Sequence, residues 1–157
     1  MNSQKAERGA VRKPLPPSYF AGALAVIVVL ALIVPGPTVI AFPWNVLGAI
    51  PVVLGGVLNV VADRQFKVAA TTVKPFEAAS ALVTDGVFRF TRNPMYLGMA
   101  LALAGVAMLL QRLTPWIVLP LFVAAMQIRF IGPEERMLQE QFGERWESYA
   151  RTVRQWI

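Results

Sequence analysis

Three groups of residues in this sequence carry functional groups at spacings that chemistry can use. The first is the run Asp85-Gly86-Val87-Phe88-Arg89-Phe90-Thr91-Arg92, which leads straight into Asn93-Pro94-Met95-Tyr96-Leu97-Gly98. It sets two arginines, an amide and a phenol at the start of a helix, because Asn is a strong N-cap residue and Pro suits the first helical position. Its plainest role is a capped helix with basic and aromatic residues at a membrane interface. The second group is the adjacent pair Glu134-Glu135 after Gly132-Pro133. In the first turn of a helix two carboxylates complement the helix dipole, an effect of about 0.3–1 kcal/mol each. Facing inward, they need a partner such as a cationic ligand or the hydroxyls of a sugar. The third group is Arg145, Arg151 and Arg154. These suit anionic lipid headgroups and suit equally the anchoring of an anionic substrate group through paired hydrogen bonds.

The absences narrow the chemistry. With no cysteine and no histidine in 157 residues, the usual zinc ligand sets, disulfides, thiol nucleophiles and every Ser/His or Cys/His dyad are excluded. Carboxylates, arginines, amides, hydroxyls or a bound cofactor remain.

The elements that position these groups are apolar. The chain is 56% hydrophobic and only 15% charged, with a mean hydropathy of +0.54, and residues 14–62 form a run of 49 positions without a charge. A bilayer requires such a run and a soluble core does not. Four apolar segments, near 19–34, 44–62, 93–111 and 113–128, separate five stretches that hold 4, 0, 5, 1 and 5 of the 15 Lys and Arg residues. The first, third and fifth stretches hold 14 of them, so the positive-inside rule puts both termini and the middle loop in the cytoplasm. The first segment with its basic flank also fits a signal peptide, but cleavage would remove the basic anchor, and a span is the better reading. The cations are dispersed and the C-terminal stretch also carries five acids, which argues against a nucleic-acid partner.

The third and fourth segments read as a hairpin turning at Arg112 and Thr114-Pro115, with Asn93-Pro94 and Thr114-Pro115 each predicted to cap a helix. Gly132-Pro133 is predicted to break the fourth helix. Beyond it Leu138, Phe142, Trp146, Tyr149, Val153 and Trp156 recur at spacings of three and four, an amphipathic stripe suited to the cytoplasmic interface, divisible into two short helices at Gly143. The expected fold is therefore an all-α polytopic membrane protein with four transmembrane helices and a C-terminal amphipathic interfacial helix. It forms one membrane-embedded domain: a basic segment (1–18), two helices (19–62), a cytoplasmic loop (63–92), a hairpin (93–131) and an interfacial tail (132–157).

Residues 71–157 contain, in order, Thr72-Val73-Lys74-Pro75, Leu82-Val83-Thr84-Asp85-Gly86, Arg92-Asn93-Pro94-Met95-Tyr96-Leu97-Gly98, and Glu134-Glu135 followed by Leu138, Phe142-Gly143, Tyr149 and Val153. This combination resembles the membrane methyltransferase family that includes isoprenylcysteine carboxyl methyltransferase and the phospholipid methyltransferases. The resemblance implies an integral membrane enzyme that uses S-adenosylmethionine, bound on the cytoplasmic side. Asn93, Pro94, Tyr96 and Leu97 would line the cofactor, and Glu134 and Glu135 would hold its polar groups. One position departs from the isoprenylcysteine enzymes, which usually carry His where this chain has Asn93. An amide still donates and accepts hydrogen bonds, so the departure bears on the acceptor rather than on the cofactor.

The expected function is methyl transfer at the membrane to a lipophilic acceptor, an isoprenylcysteine-like carboxylate or a lipid, with the bilayer as partner. Arg151 and Arg154 are the residues expected to orient an anionic acceptor. In-line displacement at a sulfonium needs alignment more than acid/base help, so the absence of histidine is no obstacle. Two other classes fit less well: a nicotinamide-dependent membrane reductase relative, and a small non-catalytic membrane partner protein.

Overall fold

The computed structural model describes residues 15–70 and 80–157. The Thr72-Val73-Lys74-Pro75 element and the N-terminal basic flank lie outside the described residues. Among the described residues the secondary structure is helical, with no strand: α1 (Pro16–Ile33), α2 (Ala49–Val68), α3 (Pro94–Leu109), α4 (Val118–Met126), α5 (Gly132–Phe142) and α6 (Glu144–Thr152).

Three stretches are long and apolar enough to cross a membrane: Pro16–Ile33, Trp44–Val68 and Thr114–Phe142. Helix α3 is apolar but has only 16 residues, about 24 Å at 1.5 Å per residue. The outer faces carry exposed Leu32, Ile33, Val53, Leu54, Val57, Leu121 and Ile128, a surface that demands an apolar solvent. The inner side is a cluster of Ile27 from α1, Tyr96 and Leu103 from α3, and Val118, Phe122, Met126, Phe130 and Ile131 from the last long stretch.

Glycine spacing sets the most extensive helix contact, that of α2 and its lead-in turn with α3. Gly48 meets Gly105 and Gly55 meets Gly98, so each side presents a glycine every seven residues, two turns apart. The pairing runs antiparallel. A methyl group at Gly55 would overlap the Gly98 carbonyl oxygen, and one at Gly48 would overlap that of Gly105. Such backbone approach is what small residues provide between membrane helices, where no hydrophobic force draws apolar faces together.

Three local expectations are corrected. Asn93 precedes α3, but its side chain makes no cap hydrogen bond; it donates instead to the Gln155 carbonyl oxygen at 3.1 Å. Thr114 likewise does not cap its own turn. Its hydroxyl donates to the carbonyl oxygen of Val34 at 2.6 Å, satisfying an acceptor left over at the end of α1. Gly132-Pro133 does not stop the helix. A π-turn over Gln127–Ile131 joins α4 to α5, and this widened turn takes up the register change where Pro133 lacks an N–H. The chain does break at Gly143, whose φ of 51° lies in the region that glycine tolerates. The two loops at the far end pair through Val39 N–H to Gln111 O at 2.8 Å and Leu113 N–H to Pro37 O at 3.1 Å.

Candidate functional site

The start of α3, the start of α5 and the C-terminal residues converge. Pro94, buried at the first position of α3, fixes where the helix begins, and Tyr96 follows in its first turn. The Tyr96 ring lies nearly parallel to that of Phe130, with centroids 6.2 Å apart and planes at 29°. Phe130 in turn meets Tyr19 of α1 edge-on at 5.3 Å. Three helices thus contribute to one aromatic wall.

Glu134 and Glu135 occupy the first turn of α5. Neighbouring residues on a helix differ in direction by about 100°, and the two carboxylates accordingly take different partners. Glu134 Oε1 accepts a hydrogen bond from the Tyr96 hydroxyl at 2.8 Å. Glu135 Oε1 lies 3.1 Å from Arg92 Nη2, and Glu135 Oε2 accepts from Gln155 Nε2 at 2.9 Å. Arg92 also donates through Nη1 to the Ala150 carbonyl oxygen at 3.1 Å, and its guanidinium lies 5.6 Å from the centre of the Trp146 ring, within cation–π range.

The C-terminal residues complete the cluster. Arg92 N–H donates to Arg154 O at 3.0 Å, and the Gln155 carbonyl oxygen accepts from both Thr91 Oγ1 at 3.2 Å and Asn93 Nδ2 at 3.1 Å. Trp156 Nε1 donates to Gln127 Oε1, in the π-turn, at 3.1 Å. Helix α6 is held by the Tyr149 hydroxyl, which donates to Phe88 O at 2.7 Å. Burial pushes that phenol up to about 12, so it remains a donor throughout the neutral range.

Of the residues singled out in the sequence, Asn93, Pro94, Tyr96, Glu134 and Glu135 fall in this one cluster. Leu97 lies in the same turn of α3, half-buried. Arg151 and Arg154 are exposed, and Arg154 reaches the cluster through its main-chain carbonyl. An open cleft of about 640 Å³ lies on another side of α6, between it and the segment before α3, and is lined by Thr84, Asp85, Arg89, Arg145, Ser148 and Thr152 among others. It shares none of the expected cofactor residues. Gln127 and Gln155 belong to none of the groups singled out in the sequence. Uncharged polar side chains at ordinary spacing give no sequence signal of a distant partner.

The cluster combines carboxylates, a guanidinium, amides and a phenol. Arg92 Nε is buried with no hydrogen-bond partner, and the second oxygen of Glu134 accepts nothing from the described residues. The Glu134 carboxylate stands at the Tyr96 hydroxyl, and Arg92 lies by Glu135 and Trp146. Residues 43–145 match the family of phospholipid methyltransferases, a span that contains both Asn93-Pro94-Met95-Tyr96 and Glu134-Glu135. No curated protein and no solved structure matches the chain.

Proposed function

The chain belongs to the phospholipid methyltransferase family, and we propose that it transfers a methyl group from S-adenosylmethionine to a lipophilic acceptor, a lipid or an isoprenylcysteine-like carboxylate. The observation that carries this reading is the 2.8 Å hydrogen bond from Tyr96 to Glu134. It joins an aromatic face to a carboxylate where α3 and α5 both begin, in the segment the family match covers.

In this reading Asn93, Pro94, Tyr96 and Leu97 line the cofactor, and Glu134 accepts hydrogen bonds from its ammonium or ribose hydroxyls. Glu135 fixes the opposite side of the site through Arg92. When bound, S-adenosylmethionine supplies an electrophilic methyl group on a sulfonium. The Tyr96 face attracts that positive charge by cation–π interaction, and the wall of Tyr96, Phe130 and Tyr19 limits the directions from which an acceptor approaches. A carboxylate acceptor arrives ionised. An amine acceptor must first lose a proton, with Glu134, Glu135 or water to receive it. Arg151 and Arg154 orient an anionic headgroup from the exposed side while the acceptor's apolar part stays in lipid.

The same reading gives the chain four spans with both termini in the cytoplasm. Helix α3 spans with the help of its flanking residues, beside the longer α2. The test is transfer of label from methyl-tritiated S-adenosylmethionine into a membrane lipid extract by the full chain in nanodiscs. Label in an organic-soluble product is expected, whereas a chain that binds the cofactor but labels only water-soluble amines would refute the lipophilic acceptor.

A further inference from the structure

We propose that Gln155 is a positioning residue for the cofactor site, holding Glu135 in place so that Glu134 alone of the acidic pair meets the ligand. The proposal rests on the methyltransferase reading above and assigns a role within it to a residue outside the matched family segment.

After α6 the chain turns extended, with Val153 at φ −115° and ψ 131°, and its next three residues bind three different elements. The Arg154 carbonyl accepts from Arg92 N–H. Gln155 reaches both halves of the site at once: its carbonyl oxygen holds Thr91 and Asn93 ahead of α3, and its Nε2 holds Glu135 at 2.9 Å. Trp156 fastens this segment to Gln127 in the π-turn. Gln155 is half-buried between two neighbours of opposite kind, the exposed Arg154 and the core-packed Trp156.

The consequence concerns the division of labour between the two glutamates. One Glu135 oxygen is buried 3.1 Å from Arg92 Nη2, an ion pair without a hydrogen bond, and the other accepts from Gln155, so the carboxylate is turned into the protein. Glu134 has one oxygen on Tyr96, and the other accepts nothing from the described residues. The rotation of the first turn of α5 therefore decides whether Glu134 faces Tyr96, and Gln155 with Arg92 holds that rotation through Glu135. A neutral amide is the side chain the place requires. It donates to the carboxylate without competing with Arg92 for it, whereas a carboxylate at this position would repel Glu135.

The test is calorimetric binding of S-adenosylhomocysteine to the full chain in nanodiscs, with the unfolding midpoint measured in parallel. Gln155→Met keeps the length and removes the donor; Gln155→Glu adds repulsion. Both should weaken binding by roughly tenfold or more, the size of one hydrogen bond to a charged group. The double variant Gln155→Glu with Glu135→Gln exchanges donor and acceptor and should recover most of the loss. If Gln155→Met binds as tightly as the unchanged protein, the proposal is overturned. It is overturned equally if the folded double variant binds no better than Gln155→Glu. Should Gln155→Glu fail to fold, Gln155→Met decides alone. If the unchanged protein does not bind, the methyltransferase reading itself fails, an outcome distinct from the others.

Discussion

Tyr96 and Glu134, far apart in sequence and on different helices, are joined by a 2.8 Å hydrogen bond in which the phenol donates to the carboxylate. The bond closes the start of α3 onto the start of α5. Replacing Tyr96 with Phe keeps the ring against Phe130 and removes only the donor. The half-buried carboxylate is then short of a partner, and stability should fall by about 1–3 kcal/mol. Unfolding in mixed detergent is the measurement, and no change would mean that water replaces the phenol freely.

The glycine register between α2 and α3 makes a sharper comparison. Gly55→Ala puts a methyl group onto the Gly98 carbonyl oxygen, whereas the neighbouring Gly56 has nothing within 4 Å of the added atom. The first substitution should cost about 1–3 kcal/mol and the second almost nothing. Equal effects would show that the helices do not pack in this register.

Tyr149 gives a pH dependence. Its phenol is pushed up to about 12 by burial against an ordinary value near 10. The folded state therefore keeps its proton where the unfolded state has lost it. The stability from this group is fully present below about pH 10 and is lost as pH rises towards about 12. Tyr149→Phe should be less stable at neutral pH, having lost the bond to Phe88, and its stability should fall less steeply above about pH 10. Parallel curves for the two proteins would contradict the assignment.

The division of cations predicts an orientation. With 14 of 15 Lys and Arg residues in the first, third and fifth stretches, a reporter fused after Ile157 should be active on the cytoplasmic side. Activity only on the far side would reverse the topology.

Much of this was legible in the sequence. Of the four apolar segments expected, those near 19–34, 44–62 and 113–128 fall in the three stretches long enough to cross a membrane, while that at 93–111 forms a helix of 16 residues; the helix start at Asn93-Pro94 and the division at Gly143 follow from a proline at the first helical position and a glycine between two short helices. The sequence misled at Gly132-Pro133, because a proline predicts a break only if the preceding turn stays α-helical, and here a π-turn absorbs it. It misled at Asn93 and Thr114, where side chains that cap helices locally found tertiary partners in Gln155 and Val34. The pairing of glycines in α2 and α3 was visible only as small residues, since register across two helices is not written in either alone. Gln155 had no signature, because its role comes from three hydrogen bonds to residues far away in the chain.

The central claim is that the cluster at the starts of α3 and α5 binds S-adenosylmethionine, with Glu134 as a direct partner. The most direct measurement is the dissociation constant of S-adenosylmethionine for the full chain in nanodiscs, compared with that of Glu134→Gln. Glu134→Gln preserves size and removes the charge, and a helix-dipole role alone would cost under about 1 kcal/mol. Saturable binding by the unchanged protein and a loss of at least tenfold in the folded variant are predicted. Equal affinity in the two proteins, or no binding in either, would contradict the account.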